Sequence, residues 1–359
     1  MAGGVGSRFW PLSRMDCPKQ FLDIMGVGKT LIQQTFDRIC QVVPRENVII
    51  VTNEIYKNIT VEQLEIRESQ VLLEPMRKNT APCIAYANFR IMKENPDACI
   101  VVLPSDHLVN NEAEFLRVTR QALEYTASNN VLLTIGIKPC RPDTGYGYIQ
   151  VANDSREAAS HVSMPIPELK KVRTFTEKPE ADLAKVFYES GEFFWNSGMF
   201  LWSLSSIIQA FDEYMPSVNR MFQKHIGKLG TDSETEAIAD IYVHSKNISI
   251  DYAIMEKADN VYVLCADFGW SDIGTWGSLY ANQRKDKTRN AVVGNNVFLY
   301  DAKGCEINIH PQKLAVIQGL EDMIVVQTDD VLLICKKDEE QRIKDFVNNV
   351  KLEKGDDYI

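Results

Sequence analysis

The chain has 359 residues, 45% of them hydrophobic and 25% charged, enough to bury one large core and a smaller one. Its formal net charge of -10 excludes a nucleic-acid backbone or an anionic membrane surface as the main partner, because both select clustered Lys and Arg. No apolar run approaches the roughly 20 residues that cross a bilayer, and no basic stretch leads into an apolar one at the start, so a cytoplasmic protein is expected. Eight cysteines lie far apart with no C-x-x-C pair, and they read as reduced, packed thiols.

The first element is a loop. In "MAGGVGSRFW" the glycines at 3, 4 and 6 let backbone amides approach an anion, and Arg8 adds a cationic fork. Phe9 stands where a dinucleotide fingerprint needs its third glycine, and no G-K-[ST] follows, so neither classical phosphate loop fits. A helix is predicted over 30–43, with Leu31, Thr35, Phe36, Ile39 and Val43 on one side. "NVIIVT" (47–52), "VLLE" (71–74), "ACIVVLP" (98–104) and "VLLTIGI" (131–137) are short β-branched runs, as for strands covered on both faces, and "APCIAYANFRIMKE" between them is helical. Strand and helix in turn predict a doubly wound α/β sheet, with ligands at the carboxyl ends of its strands. The aromatic stretch "FFWNSGMFLW" (193–202) and helical segments over 204–258 read as elaborations around that sheet. From about 290, short alternating strands with turn residues between them announce a second, β-rich domain ending in a charged helix. The expected domains are 1–285 and 286–359.

Several residues suit particular chemistry. Asp106 closes a buried strand, where a hard carboxylate fits Mg²⁺ or, equally, caps the next helix. Lys178 follows the predicted strand "VRTFTE", in place to meet a phosphate or simply to be solvated. Asn196 offers a donor and an acceptor to a sugar hydroxyl. Gly145 and Gly147 around Tyr146 allow main chain to lie against a ligand or form a plain β-turn. Glu74 ends a strand, and Asn79, Thr80 and Ala81 open the next helix, so this segment could line a base. The five histidines share no spacing and are read as structural or surface residues.

"GGVGSRFWPLSR" is followed by "CPKQFLDI", and then in order come "EPMRKNTAPC", "VVLPSDH", "TGYGYIQ", "FTEKP", "WNSGMF", "GWSDIGTW" and "IVVQTDDVLL". This series resembles the sugar nucleotidyltransferases, in their mannose-1-phosphate guanylyltransferase branch, and spans nearly the whole chain. The resemblance implies a Rossmann-like nucleotidyltransferase domain with a small β-helix-like domain after it. It implies transfer of GMP from GTP to α-D-mannose 1-phosphate, with Mg²⁺ on Asp106 and Asp272. Catalytic roles fall to Arg8, Lys19 and Lys178. Nucleotide contacts fall to Ala2, Gly3, Gly4, Gly6, Ser7, Arg8, Lys19, Glu74, Asn79, Thr80, Ala81, Ser105 and Asp106. Sugar contacts fall to Gly145, Tyr146, Gly147, Glu177, Lys178, Asn196 and Asp272. The alternatives are a guanylyltransferase for another hexose or heptose 1-phosphate, or a non-catalytic GDP-sugar-binding relative.

One departure stands out. Family members carry an apolar strand ahead of the "AGG" run, where this sequence has only Met1. Its absence would leave a central place in the sheet unfilled, so an earlier start, a substitute segment or an inactive chain are the three expectations. With the chain ending at Ile359, transferase activity alone is expected, with no isomerase. The β-rich domain is the expected surface for a homodimer.

Overall fold

The computed structural model describes residues 1–4, 7–152, 166 and 168–359. The predicted runs form β1 (Ile50–Asn53), β2 (Val71–Glu74), β3 (Cys99–Val102), β4 (Leu108–Val109), β5 (Leu132–Ile137) and β6 (Tyr148–Val151). They are followed by β7 (Leu169–Thr176), β8 (Phe193–Ser203), β9 (Val261–Ala266) and β10 (Trp270–Ser271). The first strand starts three residues later than predicted, because Arg45–Asn47 close a turn in which the Val48 amide donates to the Arg45 carbonyl. Helices α1 (Leu31–Ile39), α2 (Lys57–Leu64), α3 (Thr80–Glu94) and α4 (Glu112–Ser128) alternate with the early strands. A capping box of Thr30 and Gln33 starts α1, and the Asn79 side chain accepts from the Thr80 amide at 2.9 Å to start α3.

Six strands form the main sheet in the order β3-β8-β5-β9-β7-β6, and β6 also meets β8. Among the described residues only β5 and β9 run parallel within it. The aromatic stretch expected as an elaboration is therefore corrected: as β8 it is the spine of the sheet, pairing with β3, β5 and β6. Trp195, Met199, Phe200, Leu201 and Trp202 are all buried, because both faces of this strand are covered and every position finds apolar neighbours.

A separate parallel pair, β1 and β2, lies beyond β3. Between β1 and β3 runs a cavity of about 360 Å³, lined among others by Ile32, Phe36, Ile50, Val51, Ile100 and Val102. The Met1 ammonium donates to the Leu103 carbonyl at 2.9 Å, and the Ser105 amide donates to the Met1 carbonyl at 3.1 Å. The Ala2 amide donates to the Val51 carbonyl at 2.9 Å. Met1 and Ala2 thus lie parallel to both flanking strands at one end of the slot. The strand expected ahead of the glycine loop would run along its length.

The C-terminal part comprises β11 (Ala291–Val293), β12 (Val297–Tyr300), β13 (Glu306–Ile309), β14 (Ala315–Gln318), β15 (Met323–Gln327) and β16 (Leu332–Lys336), followed by a helix, Ile343–Lys354. Parallel ladders β11-β13-β15 and β12-β14 stack as successive turns of a coil around Ala302, Cys305, Ile307, Ile309, Ile317 and Val325. This coil is not a detached unit. Phe9, Trp10 and Trp276 share a core with Ile324, Val326, Ile343 and Val347, while Arg14 grips Asp330 through both guanidinium nitrogens. The β-rich domain therefore packs against the turn at Phe9 and Trp10 that follows the glycine loop.

A buried carboxyl lies at this junction. Burial pushes Glu306 from its ordinary 4.5 up to about 8, against the pull of the Gln283 amide, Lys285 and Lys337. With its amide oriented to donate, Gln283 reaches the two Glu306 oxygens at 2.6 and 2.8 Å. A raised folded value means the native state keeps its proton: this stabilising contribution is complete below about 4.5 and disappears as pH climbs through about 8. Glu306→Gln is expected to flatten unfolding free energy across that window and to stabilise the protein at pH 8 by about 2 kcal/mol or more. Urea unfolding of both proteins at pH 5 and pH 8 checks this, and parallel curves would refute it.

Candidate active site

The glycine loop begins where Met1 and Ala2 leave the slot. Gln20, from the P-K-Q segment, donates its amide to the carbonyls of Ala2 at 3.0 Å and Gly4 at 3.1 Å, bracing the loop from beneath. Thr52 donates to the same Ala2 carbonyl at 2.9 Å. Gly4 is exposed and open, and Gly3 lies beside Glu74, whose Oε2 stands 3.5 Å from where a Cβ would be. Gly6, the Ser7 side chain and His161 lie outside the described structure. Arg8 is exposed, its Nη1 3.4 Å from the Gly274 carbonyl.

Asp106 and Asp272, remote in sequence, meet because β4 and β10 pair antiparallel, with Leu108 opposite Ser271. Lys19 joins them. Its Nζ donates to Asp106 Oδ2 at 2.9 Å and to the carbonyls of Asp272 at 2.7 Å and Ile273 at 3.0 Å. Those are as many acceptors as an ammonium has protons, so a phosphate reaching Lys19 must replace one of them. Ile273 takes a φ of 41°, a strained value for a β-branched residue, and so turns both carbonyls onto the lysine. Burial pushes the Asp106 carboxyl up, but Lys19 and His107 outweigh it and hold its pKa below the ordinary value. His107 is kept neutral mainly by burial, and its Nδ1 accepts from Trp270 Nε1 at 3.1 Å. The histidine thus belongs to the wall of the site, a structural role at a functional address.

Asp272 is oriented by two donors to Oδ1, the Tyr146 hydroxyl at 2.9 Å and the Gly274 amide at 3.1 Å. Tyr146 is wedged between Trp195 and Trp270, with ring centroids 4.8 and 5.1 Å away. A Cβ on Gly274 would fall 2.7 Å from Asp272 Oδ2, so glycine there makes the cradle for this carboxylate. Among the described residues no three His, Cys, Asp or Glu gather to enclose a metal. Two hard carboxylates with further oxygens left to substrate and water suit Mg²⁺, which retains water and shares phosphate ligands. Asp106 and Asp272 would hold it.

The sugar-side residues form an adjoining corner. Gly147 follows Tyr146 and supports Glu177, since a Cβ there would lie only 2.5 Å from Glu177 Oε2. Glu177 Oε1 pairs with Lys178 Nζ at 3.1 Å, and Lys178 takes a φ of 44° with its side chain 62% exposed. The Lys178 ammonium thus stands in the open beside the Glu177 carboxylate. Asn196 is also tied within the protein: its Nδ2 donates to Asp251 at 2.7 Å and its Oδ1 accepts from the Gly198 amide at 3.1 Å, which leaves a second Nδ2 proton for a ligand. Gly145 is held by Asp143, through an amide-to-carboxylate bond of 2.9 Å.

On the other side, Glu74 is buried and its Oε1 accepts from the Tyr242 hydroxyl at 2.9 Å. Asn79 is exposed; Thr80 Oγ1 accepts from the Ile250 amide at 2.9 Å, and the Ala81 amide donates to the Ile248 carbonyl at 3.2 Å. Ser105 is buried with its amide on Met1. The supporting residues Gln20, His107, Trp270, Tyr242 and Asp251 were not legible as such, because each works through a partner distant in sequence.

Residues 1–289 match the family model described as Nucleotidyl transferase. The chain belongs to the nucleotidyl transferase family. Residues 294–350 of this nucleotidyltransferase match the MannoseP isomerase/GMP-like beta-helix domain. It is 34% identical over 361 residues to a mannose-1-phosphate guanylyltransferase of Escherichia coli, covering 98% of this chain and 75% of that one. It is 35% identical to the mannose-1-phosphate guanylyltransferase RfbM of Salmonella typhimurium, over 100% of this chain and 73% of the relative. The crystal structure of a Thermus thermophilus protein described as a mannose-1-phosphate geranyltransferase superposes with a TM-score of 0.85 at 27% identity, over 98% of both chains. The nucleotidyltransferase thus couples a Rossmann-like catalytic domain to a β-helical one.

Proposed function

We propose that this nucleotidyltransferase transfers GMP from GTP to α-D-mannose 1-phosphate, giving GDP-mannose and pyrophosphate. The observation that carries the reading is that Lys19 joins the Asp106 carboxylate to the main chain of Asp272, whose carboxylate is held by Tyr146 next to the Gly147–Glu177 corner. A phosphate oxygen of the sugar phosphate bonds to the α-phosphorus of GTP, and the bond from that phosphorus to the pyrophosphate oxygen breaks. The nucleophile is already anionic, so no strong general base is required, and positioning with charge neutralisation supplies the rate.

In this reading the amides from Gly3 to Ser7 and Arg8 receive the triphosphate. Lys19 fixes the relation of Asp106 to Asp272, and exposed Lys178 receives the sugar phosphate. Glu177 accepts from sugar hydroxyls, and the guanine lies toward Glu74 and Asn79. Mg²⁺, when bound to the two aspartates, neutralises phosphate charge. Acidic overall charge and eight free thiols support a cytoplasmic setting. Exposed Phe298, Tyr300 and Val316 on β12 and β14 support pairing of two copies there.

Pyrophosphate release from GTP is expected only when mannose 1-phosphate and Mg²⁺ are both supplied, with glucose 1-phosphate as the comparison. Binding of GDP-mannose without any release would replace this reading with that of a nucleotide-sugar-binding protein.

A further inference from the structure

The segment "ISIDY" (248–252) touches both halves of the site without itself belonging to either. On the base side it is tied to the start of α3. The Ile248 amide donates to the Lys78 carbonyl at 3.2 Å and its own carbonyl accepts from Ala81, while the Ile250 amide donates to Thr80 Oγ1. At Asp251 the chain enters a π-turn, Asp251–Met255, closed by the Glu256 amide on the Asp251 carbonyl at 2.9 Å. Such wide turns are rare and gather at functional sites, because they redirect a side chain that a regular helix would aim elsewhere.

Here the redirected side chain is a half-buried carboxylate. Asp251 Oδ1 accepts from Asn196 Nδ2 at 2.7 Å. Asn196 in turn donates its backbone amide to the Gly147 carbonyl at 2.8 Å, and Gly147 carries Glu177 against it. Burial raises the Asp251 carboxyl and the Asn196 amide opposes this, with Glu177 close enough to raise it further. Tyr252, next along the chain and exposed, lies within the fields of Glu177 and Lys178. One chain of contacts therefore runs from the start of α3 through Ile250 and Asp251 to Asn196, Gly147 and Glu177.

We propose that Asp251 is a positioning residue for the sugar 1-phosphate, holding the Asn196 amide so that Gly147 and the Glu177–Lys178 corner keep the geometry that receives the sugar. This rests on the reading of that corner as the sugar 1-phosphate site. Without Asp251 the Asn196 amide would be held at Oδ1 alone, and its Nδ2 end would swing and loosen the floor beneath Glu177. The nucleotide side keeps its own anchors at the Thr80 hydroxyl and the Ala81 amide, neither of which involves the Asp251 carboxylate.

The test separates the two substrates. Asp251→Ala is expected to raise KM for mannose 1-phosphate about tenfold, the effect of losing one charge-assisted positioning hydrogen bond, with KM for GTP within about twofold of wild type. Asp251→Asn keeps an oxygen for the Asn196 amide and is expected to recover most of the loss. Should the alanine variant fail to fold, the exchanged pair decides: Asn196→Asp sets two carboxyls face to face and raises the sugar KM, and adding Asp251→Asn restores a donor and lowers it again. An unchanged sugar KM, equal rises for both substrates, or no recovery in the exchanged pair overturns the inference. A wild-type protein that releases no pyrophosphate from GTP and mannose 1-phosphate sinks the sugar-site reading itself, whereas wild-type turnover with an indifferent Asp251 sinks only this proposal.

Discussion

Asp106→Asn is expected to lower pyrophosphate release by about a thousandfold in a protein that still folds, with a lower unfolding midpoint because buried Lys19 loses its ion pair. The amide is isosteric with the carboxylate and still accepts from Lys19, so the contact at 2.9 Å survives as a neutral one. What disappears is half of the negative charge available to a divalent ion. Asp272→Asn should lower release alike and still fold, because Lys19 is held by the Asp272 carbonyl rather than its carboxylate, and an amide oxygen can still accept from Tyr146 and Gly274. Chelation should reproduce the loss in the wild type and add nothing further in either variant. Steady-state assays beside a thermal melt supply both readouts; turnover within tenfold of wild type in either variant would remove the aspartate pair from the mechanism.

The second large effect concerns the slot between β1 and β3. A version carrying about five β-branched apolar residues ahead of Met1 is expected to melt about 10 °C higher. Each added residue would pair its backbone on both sides and bury its side chain, contributing roughly 1.5 to 3 kcal/mol by burial against about 1.5 kcal/mol of ordering entropy. The direction is already set, since Met1 and Ala2 run parallel to both flanking strands. The glycine loop should gain as well. A strand in the slot would hold Met1 and Ala2 more firmly, and with them the loop, lowering KM for GTP. An equally long polar extension containing proline is the control, because it can neither pair nor bury. Equal melting temperatures for the two extended chains would show that the slot does not accept a strand.

The Rossmann-like domain and the coil after it were both legible, because their signals are local. β2 occupies the predicted residues 71–74, and β5 begins one residue inside its apolar run, since short β-branched segments carry their own preference. The places of Lys178 and Asp106 just after strands were legible for the same reason. Each is defined by the few residues around it.

What escaped was set by partners distant in the chain. Residues 193–202 have the composition of a core segment in any arrangement, and only the pairing with β3, β5 and β6 makes them the spine of the sheet. Lys19 reads as a free cation until β4 and β10 align and hand it Asp106 and two carbonyls. That Asn196 is braced by Asp251 appears only once the π-turn delivers that carboxylate to its amide. The sequence by itself determined which elements form and which residue types stand at their ends, because backbone preference and hydrophobic period act over a few residues. The tertiary structure alone decided which of those charges and amides are free to meet a substrate and which are already engaged, because a hydrogen bond depends on distance in space and not along the chain.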